Sequence, residues 1–236
     1  MKAELLYEGK EKKVYQVSEQ PGKLIFSYKS ERTAFTEEGK ESFVEKARLN
    51  NDISSRIFEY LRDRGMDTHY IKKLSDTEQL VNKTEMIPLK VVICNSVTPA
   101  MSKRLGIEEN TILYPPIIEL YYKNELLKNP LINDEHALFL TNITPIELQE
   151  VKEKALRVNK HLNQLFSSLT ISLAVLKLEF GRMNGHIILS DEISPDTWKL
   201  LDKSTGEILQ KANEKVYSGN QLEFYEKLVN RLEELK

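Results

Sequence analysis

One cysteine, one tryptophan, four histidines and nine glycines are spread over 236 residues. The lone Cys94 excludes an intramolecular disulfide framework and a cysteine-built zinc site. His69, His136, His161 and His186 stand apart, none in a His-Glu-x-x-His spacing, so a zinc centre of that kind is not expected. No Ser/His/Asp or Cys/His arrangement has a local signature, and Cys94 reads as a small buried apolar group rather than a nucleophile. There is no run of 18 apolar residues, so no membrane-spanning helix is expected. Residues 1–13 hold no apolar stretch of the length a secretory signal needs. An excess of charge of either sign is also missing: 34 Lys and Arg stand against 36 Asp and Glu, net −2. That balance argues against nucleic acid held by bulk charge, and leaves room for a local phosphate pocket. No solenoid repeat or low-complexity tract is present. A soluble, intracellular (cytoplasmic) protein is the expectation.

What is there suffices for a sizeable core. Hydrophobic residues make up 40% of the chain, enough for one large domain or two small lobes. The first third alternates short strand-like runs with turns: Leu5-Leu6-Tyr7, Val14 to Val17 and Lys23 to Tyr28, with Pro21-Gly22 turning between the last two. Leu49, Ile53, Ile57, Phe58 and Leu61 fall at helical spacing, predicting a helix over 49–64 that ends at Gly65. Strands are expected near 68–73, 78–84, 87–95 and 117–122, with a short helix at Ser102 to Leu105 closed by Gly106. Pro145 to about Leu169 reads as an amphipathic helix with Thr144 as N-cap and Pro145 in the first turn. Ile171 to Phe180 and His186 to Leu189 read as a hairpin, and 221–236 as a closing helix. This pattern predicts an α+β protein in two lobes: 1–85, β-rich, and 86–236, mixed.

Two segments carry candidate chemistry. Glu8-Gly9-Lys10-Glu11-Lys12-Lys13 lies between two strands; Gly9 permits a tight turn, and alternate lysines suit either phosphate oxygens or a solvated hairpin. It is not a Walker motif. In Lys177-Leu178-Glu179-Phe180-Gly181, Lys177 and Glu179 share one strand face. Antiparallel pairing across the hairpin would bring Glu179 toward Asp191 of Ser190-Asp191-Glu192-Ile193-Ser194-Pro195-Asp196. Two carboxylates beside a lysine match what Mg²⁺ and a nucleoside triphosphate require; a salt-bridged surface hairpin is the plain alternative. Leu74-Ser75-Asp76-Thr77-Glu78 reads as a polar corner.

Together, Leu6-Tyr7-Glu8-Gly9-Lys10-x-Lys12, Thr33-Ala34-Phe35, Leu49-Asn50-Asn51, Leu74-Ser75-Asp76-Thr77-Glu78, Lys103-Arg104-Leu105-Gly106, Lys177-Leu178-Glu179-Phe180-Gly181 and Asp191-Glu192-Ile193-Ser194-Pro195-Asp196 resemble the SAICAR synthetase family (phosphoribosylaminoimidazole-succinocarboxamide synthases) from about residue 5 to the C-terminal helix. The resemblance implies a small β-rich N-terminal lobe (1–85) that binds ATP, a larger α+β lobe (86–236) with the metal and substrate sites, and ATP in a cleft between them. It implies an ATP- and Mg²⁺-dependent ligase of purine biosynthesis that phosphorylates an imidazole ribonucleotide carboxylate and lets aspartate displace the phosphate, acting as a homodimer or larger homo-oligomer. By position, Gly9, Lys10, Lys12 and Lys123 would serve the nucleotide. Lys177, Glu179 and Asp191 would be catalytic, with Glu179 and Asp191 holding Mg²⁺. Asp196, Lys199 and Lys215 would face the ribonucleotide.

The departures from the family pattern are specific. Lys90 stands where an acid is usual, Cys94 where an arginine is, Pro99-Ala100 where Gly-Ser is, Val175 where an aspartate is, Lys199 where an arginine is, and Glu214-Lys215 in place of Phe-Arg. A bidentate arginine lost from a buried anion site costs about 2–5 kcal/mol of binding. Lysine keeps the charge but not the planar fork. These losses fall on the ribonucleotide side, which points to a paralogue joining a different carboxylate or amine. Val175, two residues before Lys177, is the one change expected to thin the Mg²⁺ shell, and it favours a non-catalytic nucleotide-binding protein instead.

Overall fold

The computed structural model describes residues 3–9, 11–29, 37–209 and 219–234. The chain divides into two units, Met1–Thr84 with Ala212–Lys236, and Glu85–Lys211. The break falls between Thr84 and Glu85. The C-terminal segment, expected in the second lobe, groups with the first unit instead.

The first unit is built on an antiparallel sheet of β1 (Ala3–Glu8), β2 (Lys12–Val17), β3 (Lys23–Tyr28), β4 (Tyr70–Lys73) and β5 (Glu78–Asn82), in the order β1-β2-β3-β5-β4. Helix α1 (Glu37–Arg62) packs on β3, β4 and β5. Its Ile53, Ile57, Phe58 and Leu61 are fully buried, as their spacing predicts. The observed helix begins well before residue 49. Helix α5 (Gly219–Glu234) lies against α1, burying Tyr225, Leu228 and Leu232. An Arg56–Glu233 ion pair at 2.5 Å ties the two helices.

The second unit holds a second antiparallel sheet in the order β10-β9-β6-β7-β8: β6 (Glu85–Ser96), β7 (Ile112–Tyr122), β8 (Leu131–Ile132), β9 (Ile171–Met183) and β10 (His186–Ser190). Strand β11 (Trp198–Asp202) also pairs with β9, along its first half, whereas β10 pairs with its end. One face is covered by α3 (Asp134–Thr141) and α4 (Pro145–Ser167). Leu148, Val151, Ala155, Val158, Leu162 and Phe166 of α4 are buried at helical spacing, each large side chain contributing about 1.5–3 kcal/mol. Thr144 caps α4 in a full capping box with Glu147, as the sequence predicts. Glu147 also accepts from Arg182 of β9 at 2.5 Å, and the amides of Asn95 and Asn159 exchange hydrogen bonds of 2.8 and 2.9 Å, which pins α4 to the sheet. Helix α2 (Pro99–Leu105), capped by Thr98 and closed by Gly106 at φ 70°, packs against the other face through Met101. Among the described residues no helix is long and apolar enough to cross a membrane.

Candidate active site

Strands β7, β6 and β9 lie side by side, and their register decides which side chains meet. Lys90 stands between Tyr121 and Glu179, Val92 between Glu119 and Lys177, and Cys94 between Ile117 and Val175. Alternation puts all of these on one face, while Val91, Ile93, Leu176 and Leu178 point into the core under α4. Directly opposed residues have Cβ atoms about 4.5–5.5 Å apart, so each row is a contact unit.

The row through Glu179 is charged. Lys123, just past β7, forms a short charge-assisted hydrogen bond with Glu179, and Lys90 faces Glu179 across the strand pair. Lys177 is exposed. Its pKa is lowered from the ordinary lysine value, first by desolvation and then by repulsion from Lys90, with Asp196 acting in the opposite sense. On the other side of β9, Ser190 opposes Glu179 and ends β10. Asp191 follows at φ 64°, a left-handed backbone that bends the chain out of the sheet. The next residues, Glu192 to Pro195, are buried, and Pro195–Thr197 makes a 3-10 turn in which the Ser194 hydroxyl accepts from the Asp196 N–H at 3.3 Å. This segment is turn and loop, in keeping with its polar composition.

The row through Cys94 is apolar. Cys94 is fully buried and Val175 nearly so, in a cluster with Val92, Val97, Met101, Ala174 and Leu201. Lys199 of β11 opposes Val175 from the far side. Burial pushes the Cys94 thiol up to about 12, with Glu119 adding to it and Arg104 opposing, so it is protonated at neutral pH and is no nucleophile. Val175 lies four residues from Glu179 along β9, about 13 Å at strand rise. A side chain at 175 does not reach the Glu179 carboxylate. Its partners are Cys94 and Lys199.

Between the rows, buried Glu119 accepts from Tyr121 Oη at 2.7 Å and from the guanidinium of Arg104 on α2 at shorter range. Lys90, Glu119, Tyr121 and Arg104 all border the site, and none was singled out as a site residue from sequence. A lone acid in the apolar run Ile117 to Tyr122, and Lys90 two residues before Val92 and four before Cys94, were the available signals.

In the first unit, Gly9 makes the turn between β1 and β2, its N–H donating to Lys12 O at 2.9 Å. A Cβ there would lie 3.1 Å from the Tyr7 ring. Lys12 is buried, its ammonium 4.9 Å from the Phe26 ring centroid. Lys10 and Lys215 lie outside the described residues. Thus Lys123, Lys177, Glu179, Asp191, Asp196 and Lys199 all belong to the second unit, where Lys123 pairs with Glu179 and Asp196 attracts Lys177, and Gly9 and Lys12 belong to the first.

Among the described residues there is no group of three His, Cys, Asp or Glu placed to hold a metal ion. Mg²⁺ is commonly bound by one or two carboxylates together with substrate phosphates. Glu179 on β9 and Asp191, the residue after β10, are the two carboxylates that the sequence offers for such an ion.

Comparison with known proteins identifies the family. The family model described as SAICAR synthetase matches residues 5–232. A phosphoribosylaminoimidazole-succinocarboxamide synthase of Oceanobacillus iheyensis is 53% identical over 234 residues, 99% of each chain. The phosphoribosylaminoimidazole-succinocarboxamide synthase of Ehrlichia chaffeensis superposes with a TM-score of 0.84 at 38% identity, covering 98% of both chains. A type-2 SAICAR synthetase solved in complex with ADP gives 0.83 at 38% identity, covering 96% of both. With its α+β architecture and a match along nearly its whole length, the chain belongs to the SAICAR synthetase family.

Proposed function

We infer that this protein is an ATP-dependent ligase that joins the carboxylate of an imidazole ribonucleotide (CAIR) to the amine of L-aspartate, as a step of purine biosynthesis. The observation that carries this reading is the identity of 53% over the full length with a protein of that activity. A carboxylate is a poor acyl donor because oxide is a poor leaving group. Transfer of the terminal phosphoryl group of ATP to a carboxylate oxygen yields an acyl phosphate and ADP. The aspartate amine then attacks the carbonyl carbon; a C–N bond forms, the C–O bond to phosphate breaks, and the amine loses a proton. Such a reaction needs little covalent help from the protein and much positioning and charge neutralisation.

In this reading Lys177 and Lys123 face the nucleotide phosphates. Glu179 and Asp191 hold Mg²⁺, which neutralises phosphate charge when bound. From the first unit, Gly9, Lys10 and Lys12 contribute to nucleotide binding, while Asp196, Lys199 and Lys215 serve the ribonucleotide. Two small-molecule substrates, a homodimeric or larger assembly and a cytoplasmic setting complete the reading.

One observation favours a second reading, a ligase for a different carboxylate: the row Cys94–Val175 is apolar and sealed by Met101. An ADP-release assay with CAIR and aspartate, each omitted in turn and the product weighed by mass spectrometry, separates the two. Release that requires both substrates and yields the succinocarboxamide supports the first. ADP release only with another carboxylate or amine supports the second, and nucleotide binding without turnover on any pair overturns both.

A further inference from the structure

The charged row contains a cation that the reading above leaves unused. Lys90 is the register partner of Glu179 and lies on the same sheet face as Lys177. Glu179 is already ion-paired with Lys123. Among the described residues, neither Lys90 nor Lys177 has an ion-pair partner within 4.0 Å, and Lys177 is repelled by Lys90 and attracted by Asp196. Lys123 thus contacts Glu179 while Lys90 and Lys177 share its sheet face, and bringing like charges together on one face is eased by an anion that joins them. Lys90 stands on a central strand with neighbours on both sides, so its backbone is rigidly placed.

Building on the nucleotide reading, we propose that Lys90 is a phosphate-binding residue of this site, pairing with Lys177 on the phosphoryl chain of the nucleotide and supplying beside Glu179 a fixed positive charge. An acid at this place would stand directly opposite Glu179 and favour a second bound cation. A lysine at the same place does the opposite: it excludes a second ion and neutralises phosphate itself. The nucleotide is then held in part by protein charge, and its affinity depends less on divalent cation than a site of paired acids would demand.

The test is calorimetric titration of the full chain with ADP and with ATP, in EDTA and in excess Mg²⁺, for the wild type, Lys90→Met, Lys90→Arg and Lys90→Glu. Lys160→Met, which removes an exposed lysine of α4, is the control for net charge, and circular dichroism checks that each variant is folded. The wild type should bind ATP in EDTA. Lys90→Met should weaken that binding about tenfold or more, Lys90→Arg should stay within about threefold, and Lys160→Met should match the wild type, as expected for a charge-assisted phosphate contact. Lys90→Glu should bind ATP only when Mg²⁺ is present. The proposal is overturned if folded Lys90→Met binds ATP in EDTA as the wild type does. It is also overturned if the wild type binds only with Mg²⁺, or if the loss is confined to binding of CAIR titrated separately. Failure of the wild type to bind ATP under any condition overturns the nucleotide reading itself, a result distinct from the others.

Discussion

The two ends of one sheet face in the second unit are made from the same three strands and have opposite chemistries. At one end Lys90, Glu179 and Lys123 form a charged row with Lys177 beside it. Four residues along β6 and β9, Cys94 and Val175 form an apolar row buried beneath Met101. Register, rather than distance in sequence, decides what acts together. Cys94 and Val175 are 81 positions apart in the chain and directly opposed in the sheet. They are therefore one coupled departure: an arginine expected at 94 and an aspartate expected at 175 would have faced each other, and both are replaced by small apolar groups that pack. The change at 175 lies about 13 Å along β9 from Glu179.

The largest expected effect tests that coupling. Cys94→Arg places a guanidinium where the side chain is fully buried, and should destabilise the fold by about 3–5 kcal/mol, the usual scale for an uncompensated buried charge. Val175→Asp should be similarly harmful. The double variant should recover about 1–3 kcal/mol relative to the sum, since contacting residues couple on that scale. Denaturant unfolding of the four proteins measures this, and strict additivity would break the claim that the row changes as a unit.

At the charged end, Glu179→Gln should leave the fold intact and abolish most turnover. Losing several kcal/mol of charge stabilisation at a metal site corresponds to about 10²–10³-fold in rate. Unchanged Mg²⁺-dependent ADP release would sink the assignment of Glu179.

The Cys94 thiol gives a pH-dependent contrast. Its folded pKa of about 12 lies above the unfolded value of about 8.5, so folding retains a proton that the unfolded chain releases. The associated stability is present in full below pH ~8.5 and is lost as pH rises toward 12, by about 1.4 kcal/mol per unit within that window. Cys94→Ala should therefore lose less stability than the wild type between pH 8 and 10, by about 1–2 kcal/mol, a difference that isolates this thiol from lysines and tyrosines titrating in both proteins. Parallel curves would mean that the thiol is not sealed.

Much of this frame was legible in the residues. Thr144, Pro145 and Glu147 announce the start of α4, and the run from Ile171 to Leu189 announces the hairpin that sets Glu179 opposite Ser190. Other elements gave weaker signals. Asp134–Thr141 is a short helix of low amphipathicity, β11 is five residues long, and Tyr114-Pro115-Pro116 hides the first half of β7 behind residues that usually interrupt strands. The site face was only half legible: alternation places Lys177 with Glu179, but nothing local in sequence states that Lys90 or Cys94 lies across from them, because that depends on long-range pairing of β6 with β9.

The smallest expected effect concerns the support that both ends share. Helix α4 covers the core side of the sheet beneath the charged and the apolar rows alike, and it is fastened by the Thr144 cap, the Glu147–Arg182 pair and the Asn95–Asn159 amides. Thr144→Ala removes the hydroxyl that accepts from the Glu147 N–H and should cost about 1 kcal/mol of stability. Because the cap touches neither row, that loss should appear in the denaturation midpoint while ATP affinity and the Cys94–Val175 coupling energy stay as they are. A change in either would mean that the rows are tuned through the helix beneath them, and the contrast between the two ends would then belong to the whole unit rather than to the side chains that face outward.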